Sequence, residues 1–472
     1  MLFNSLIFLF FFPVTVLIYF LLPNLRLRNL FLLCASYYFY MNWNPRYAIL
    51  IAAITGITYV SSLLLEKWDS TGRRKAVTTI CIVLVLLVLF TYKYLGFAAD
   101  VISDVLHSLG LAIRIPEFRI LLPVGISFFT FQSIGYLVDV YRRTIPAERD
   151  FFTYALFISF FPQLVAGPIE RAKNLLPQFK ILHPFSPDHV LEGIRMMLWG
   201  YFLKLCVAER VAPYVDAVFN NYLFHNGNSL ALGTFFFTFQ IYGDFCGYSL
   251  IACGTARCLG LQLMQNFAHP YLAVSIRDFW RKWHISLSTW FMDYIYIPLG
   301  GNRCSTPRQI FNLTVTFLVS GIWHGANWTF VFWSLLHSAF ISVHTLYRKY
   351  LPEIRIWSPL HKLLAVSLTF ACVSLCWVFF RAESISAGFT IIRKVFTERG
   401  QLFNGDGMPN QLLGLCCIMI MLMVEIKREL KLKLRFLYSD NTAICSLSMA
   451  LLLALILLSA AFHSGQFIYF QF

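Results

Sequence analysis

Two histidines stand where an imidazole is costly. His324 lies in the middle of FLVSGIWHGANWTFVFWSLLH, residues 317–337, whose neighbours are almost all apolar. His284 lies in SIRDFWRKWHISLSTWFMDYIYIPLGGNR, residues 275–303, among tryptophans and basic residues. A neutral imidazole titrates close enough to physiological pH to take a proton from a hydroxyl group. The other machinery for such chemistry is missing from the sequence. There is no G-x-S-x-G nucleophile elbow, no carboxylate pair near either histidine and no Walker-type phosphate loop. The attacking hydroxyl would then belong to a substrate, with histidine as general base, and acyl transfer fits that division of labour. A proton relay in a transporter, a scaffold and a hydrogen-bonded core histidine stay open at this point. The transporter reading expects inverted repeats with broken spans in both halves, and the sequence has no such symmetry.

Local sequence sharpens the case for His324. It is bracketed by Trp323, Gly325 and Asn327. Gly325 removes a side chain beside it, which permits a helix break or the close approach of a ligand. Continuous helix would put Trp328 one turn on, on the histidine's own face. About a dozen apolar residues separate it from the basic loop ending at Arg308, which at helical rise sets it about 20 Å into a membrane of about 30 Å. His284 is forty residues earlier and can meet it only if the chain folds back, as the PLGGNR turn at 298–303 permits. His337 is also deep, and a role in helix packing is its expected one. The remaining eight of the eleven histidines fall in loops or at span ends.

The elements that must position these groups follow from composition. Hydrophobic residues make up 58% of the 472-residue chain and charged residues 13%, with mean hydropathy +0.66. A soluble domain is about a quarter charged, so the expected solvent is lipid and the expected fold an all-α polytopic membrane protein. Apolar runs predict roughly 10 to 13 helices, several short enough to be re-entrant. The first run is read as an uncleaved span rather than a signal peptide. The net charge of +15 sits in short loops, which places those loops in the cytoplasm and the N-terminus outside, and needs no nucleic acid. In residues 275–303, Trp280, Trp283, Leu287 and Trp290 recur at three and four, predicting one amphipathic helix that lies in the interface or is buried among others. The twelve cysteines carry no C-x-x-C pair and no zinc spacing, so neither a metal site nor a disulfide framework is expected.

Several stretches carry a resemblance. They are LPVGISFFTFQSIGYLVDVYR (122–142), FFPQLVAGPIERAKNLLPQF (160–179), YGDFCGYS (242–249), NFAHPYLAVSIRDFWRKWHISLSTWFMDYIYIPLGGNR (266–303), SGIWHGANWTFVFWSLLH (320–337), WVFFRAES (377–384) and the tail FIYFQF. In this order they resemble the membrane-bound O-acyltransferase (MBOAT) family. The likeness is to its bacterial branch, which serves alginate O-acetylation, peptidoglycan O-acetylation and teichoic-acid D-alanylation. The chain departs from many of that branch at Leu250, where an acidic residue is common, and at Met292, where arginine is.

The resemblance implies one membrane-embedded domain over residues 1–472, most family-like over about 120–345. It implies a ring of tilted helices around a central tunnel, with re-entrant and interfacial helices. It places the family's catalytic histidine at His324 and the second catalytic position at His284, near the constriction. The implied activity moves an acyl group, other than an aminoacyl group and most often acetyl, from a cytoplasmic thioester to hydroxyls of an extracytoplasmic polysaccharide, an alginate-like exopolysaccharide first. Peptidoglycan and teichoic acid are the alternatives. The donor would be acetyl-CoA or an acyl carrier protein thioester, with no bound cofactor and no metal. Partners would be the bilayer of the bacterial cytoplasmic (inner) membrane and a periplasmic or membrane-anchored acetyltransferase. Supporting roles fall to an aromatic wall of Trp280, Trp283 and Trp290. Arg277, Arg281, Lys282 and Arg303 are candidates for the donor phosphates, and Asp293, Asn302 and Asn327 for orienting the site.

Overall fold

The computed structural model describes residues 1–472 except 112–115, 117, 119, 166, 351–357, 406, 433–436, 438, 440 and 462–472. The FIYFQF tail lies outside the described residues. Those described are helical or irregular, with no strand. Among the described residues, six helices are long and apolar enough to cross a membrane: Arg46–Lys67, Thr71–Lys93, Trp328–Tyr350, Pro359–Arg381, Met408–Glu429 and Thr442–Ser459. The apolar runs of the sequence outnumber them because several runs fold as shorter or interrupted helices. The run near 151–168 divides into Phe151–Ser159 and Phe161–Leu164, and that near 193–212 passes through a π-helical stretch, Phe202–Ala208.

Two compact units emerge from the packing: residues 1–194 with 252–264, and residues 195–251 with 265–472. In the first, Ile126–Tyr141 is the innermost helix, buried at every position from Ile126 to Leu137. A helix hydrophobic all round has no lipid face, and its polar residues must find partners inside. Tyr136 donates to the Ser62 hydroxyl at 3.0 Å and accepts the Glu148 amide at 2.8 Å, while Tyr154 donates to Thr58 at 2.7 Å. Thr71–Lys93 is the opposite case, with Leu84, Leu86, Leu87 and Phe90 turned outward as lipid requires.

The second unit holds both histidines. Its helix Thr306–His324 stops at Gly325, which is extended at φ −167° and ψ 157°, and Trp328–Tyr350 turns back along it. Their close approach rests on small residues: a Cβ at Gly321 would stand 2.5 Å from the Ser334 hydroxyl and 2.6 Å from the Phe330 carbonyl oxygen. A buried ion triad sits in the same unit, with the Lys204 ammonium 2.6 Å from Glu209 and 2.5 Å from Asp244.

Candidate active site

The segment expected as one amphipathic helix is broken. It runs as Ile276–Lys282, then Ile285–Phe291, then a π turn Met292–Tyr296. The apolar stripe is continuous in sequence, but tertiary pairing overrides it. Residues 266–268 lie along the break: the Ile285 amide donates to the Asn266 carbonyl at 2.9 Å, and the Ala268 amide to the Lys282 carbonyl at 3.0 Å. Trp283 is drawn out at φ −105° and ψ 128°, and His284 is left-handed at φ 41°. A non-glycine residue in that region is strained and is held there by its surroundings.

What holds His284 also fixes its proton. Its Nδ1 is 3.2 Å from the side-chain Oδ1 of Asn266. The same oxygen accepts the Ser286 hydroxyl at 2.7 Å and the Ser286 amide at 3.4 Å, while the Asn266 Nδ2 donates to Ser249 at 2.9 Å. An amide N–H can donate only to the oxygen, so the asparagine is oriented and His284 Nδ1 must be the donor. The neutral ring then carries its lone pair on Nε2, the form a base requires. Sequence reasoning missed Asn266. Its signal was faint: an amide directly after Met264-Gln265, eighteen positions from the histidine.

His324 ends its helix at 3% exposure, and His284 is 1% exposed. The His324 ring is boxed by edge-to-face contacts with Trp323 and Trp333, each at 5.0 Å between centroids, and with Phe380 at 5.5 Å. The indole of Trp323 is also 6.0 Å from His284. The fold therefore brings both histidines to one shared neighbour, with Phe245 covering His284 at 4.6 Å.

The other predicted residues are placed variously. Trp280 and Trp283 enter a buried aromatic cluster with Trp333 and Trp377; Trp283 and Trp377 are 5.0 Å apart and Trp280 and Trp333 5.9 Å. Trp290 packs on Phe291 at 5.7 Å and Tyr294 at 4.9 Å. Arg277 and Arg281 are exposed on the helix that carries Trp280, and Lys282 on that helix is paired with Glu429 at 2.9 Å and Asp278 at 3.5 Å. Asp293 is half-buried in the π turn, and Asn302 and Arg303 are exposed after Gly300 and Gly301, whose φ values of 115° and 56° make the return turn. Asn327 acts at the start of the next helix, where its Oδ1 accepts the Thr329 amide at 3.0 Å. Trp328 does not stack on His324: the break at Gly325 starts a new helix, and Trp328 is 55% exposed.

Two imidazoles buried on one indole, in an apolar helical frame, suit proton transfer to and from a bound hydroxyl. The model of the MBOAT, membrane-bound O-acyltransferase family matches residues 35–376. The chain belongs to this family. It is an O-acyltransferase and a multi-pass membrane protein. A protein of Azotobacter vinelandii named "Probable alginate O-acetylase AlgI" is 38% identical over 399 residues, covering 84% of this chain and 78% of that protein. The peptidoglycan O-acetyltransferase of Helicobacter pylori is 33% identical over 424 residues, 83% and 79% of the two chains. The teichoic acid D-alanyltransferase of Bacillus subtilis is 25% identical over 283 residues, 56% and 69%. The matched region of the acyltransferase contains His284, His324 and Asn266 alike.

Proposed function

We propose that this O-acyltransferase moves an acetyl group from a cytoplasmic thioester, acetyl-CoA or an acyl carrier protein, to hydroxyl groups of an extracytoplasmic polysaccharide, an alginate-like exopolysaccharide. It does so from the bacterial inner membrane, with a periplasmic or membrane-anchored acetyltransferase completing delivery. His324 takes the proton of the attacking hydroxyl, whose oxygen bonds to the thioester carbonyl carbon. The carbon–sulfur bond then breaks, and the proton passes from the imidazolium to the leaving thiolate. Alternatively, His324 carries the acyl group transiently and is released by the next hydroxyl. His284, with Nε2 as acceptor, serves as partner base on the acceptor side. The observation that carries the reading is the shared burial of His284 and His324 against Trp323 in a member of an O-acyltransferase family. The acceptor follows the relatives named for alginate.

A second acceptor, peptidoglycan, is favoured by the relative from Helicobacter pylori, which covers as much of this chain. Acetyl-ester content of separated polysaccharide fractions, compared among wild type, a deletion strain and His324→Ala, distinguishes them. The exopolysaccharide fraction is expected to lose its esters in both mutants. Loss from peptidoglycan instead reassigns the acceptor. Esters kept by a membrane-inserted His324→Ala protein but lost in the deletion reduce the protein to a scaffold and end the mechanism.

A further inference from the structure

His337 is fully buried, at 0% exposure, in the helix Trp328–Tyr350. The sequence marks it only as a packing residue, and the reaction as written makes no use of it. Its surroundings are not those of a filler. The indole N–H of Trp280 donates to its Nδ1 at 3.3 Å. An indole can only donate, so Nδ1 is the acceptor and the proton of the neutral ring sits on Nε2. Among the described residues that buried Nε2 has no hydrogen-bond partner, an arrangement with a desolvation cost. A phenylalanine would fill this space without that cost, so packing alone does not account for an imidazole.

What the imidazole does is join the two histidines' supports. On one side it holds Trp280, which sits on the short helix Ile276–Lys282 that runs directly into the Trp283–His284 break. On the other side its ring meets Trp333 at 5.0 Å and 73°, and Trp333 meets His324 at 5.0 Å and 83°. Trp280 and Trp333 also touch each other at 5.9 Å. The path from Trp280 through His337 and Trp333 to His324 therefore uses one directed hydrogen bond, with edge-to-face contacts otherwise. Ring contacts tolerate sliding and rotation, and a hydrogen bond with one donor and one acceptor does not.

We infer that His337 is a positioning residue, whose Nδ1 acceptor locks Trp280 and thereby sets the placement of His284 and His324 relative to one another. This rests on the proposed roles of those two histidines. Misplacing a reacting group by a fraction of an ångström costs rate while leaving substrate affinity in place.

The test uses the full-length protein in detergent or liposomes, with acetyl-CoA and a soluble sugar acceptor, and four variants. His337→Phe keeps the ring but removes the acceptor, Trp280→Phe removes the donor, and the double variant removes both. His337→Asn restores an acceptor close to the position of Nδ1. Expected are a fall in kcat of about tenfold for each single Phe variant with KM for the donor unchanged, no further fall in the double, and recovery of most activity in His337→Asn. Wild-type kcat in His337→Phe, a double variant whose losses multiply, or a His337→Asn as poor as His337→Phe each overturns the inference. Should His337→Phe fail to fold, judged by its melting temperature and gel-filtration profile, Trp280→Phe decides alone: unchanged kcat rejects the link. His324→Ala and His284→Ala run beside them. If those two keep activity, the parent reading has failed, whereas if they lose it while His337→Phe does not, only this inference has.

Discussion

Asn266 and His284 are joined side chain to side chain at 3.2 Å, and the asparagine's remaining contacts leave the histidine no choice of tautomer. The arrangement is that of an orienting group behind a base, with an amide in place of the carboxylate. An amide fixes direction without adding charge, which suits a site shut off from water, where a buried carboxylate would have to be neutralised. Removing the acceptor frees the ring to rotate and to move its proton to Nε2. Asn266→Ala is therefore expected to lower kcat by about tenfold or more, out of the about 10²–10⁴ that a positioned base contributes. Asn266→Asp keeps an acceptor for His284 but loses the donation to Ser249 and adds a buried carboxyl that must be neutralised, so it should fall between wild type and Asn266→Ala. Steady-state kinetics on purified variants reads this, and equal activity of the Ala and Asp variants would remove Asn266 from the site.

The sequence made the helical membrane fold legible because composition alone demands it, and it made His324 legible because an imidazole in an apolar run needs a reason. The return turn was legible too: PLGGNR carries two glycines, and both adopt positive φ. Other features stayed hidden for one physical reason. The break at Trp283–His284 is imposed by residues 266–268, which pair with Lys282 and Ile285 further along the chain, while the local periodicity is an unbroken helix. A pattern at three and four reports the preference of a segment and not what its neighbours will outbid. For the same reason Asn266 gave almost no signal, and Trp328 was assigned to a face that ceases to exist once Gly325 ends the helix.

The packing of Thr306–His324 against Trp328–Tyr350 makes a prediction at Gly321. A methyl group there meets a backbone carbonyl as well as a side chain, so the two helices must part. Gly321→Ala is expected to destabilise the protein by about 1–3 kcal/mol, the usual cost of overpacking. Because His324 is one turn further along the same helix, activity should fall as well. Thermal unfolding in detergent measures the first effect. A melting temperature equal to wild type would mean that the helices are not held this closely.

Arg277 and Arg281 project from the helix that carries Trp280, and Lys282 beside them is already neutralised by Asp278 and Glu429. Were the donor's phosphates bound here, the two exposed guanidinium groups would do it. Arg277→Ala with Arg281→Ala should then raise KM for acetyl-CoA by about tenfold with little change in kcat, since contacts far from the reacting carbonyl bind ground state and transition state alike. An acetyl thioester lacking phosphates should be indifferent to the same change. Equal KM values for acetyl-CoA in the wild type and the double variant would make these residues ordinary positive-inside charges.

Lys204 is buried between two carboxylates, with side-chain exposure of 4% against 5% for both Glu209 and Asp244. One ammonium faces two carboxylates inside the second unit, in a π-helical stretch that sets Lys204 out of ordinary helical register. The ion pairs exist at the expense of hydration of three charges, so their net contribution is small while all three are present. Taking away the cation is another matter, because it removes the ammonium that both buried carboxylates face. Lys204→Met is expected to destabilise the protein by about 3–5 kcal/mol, the range for breaking a buried pair. Lys204→Met combined with Glu209→Gln and Asp244→Asn removes every charge and should restore most of that loss. Gel-filtration yield and melting temperature of the detergent-solubilised variants read both effects. A single variant as stable as wild type would show that water or protons already neutralise these acids, and a triple variant as unstable as the single would show that the lysine is needed for its packing rather than its charge.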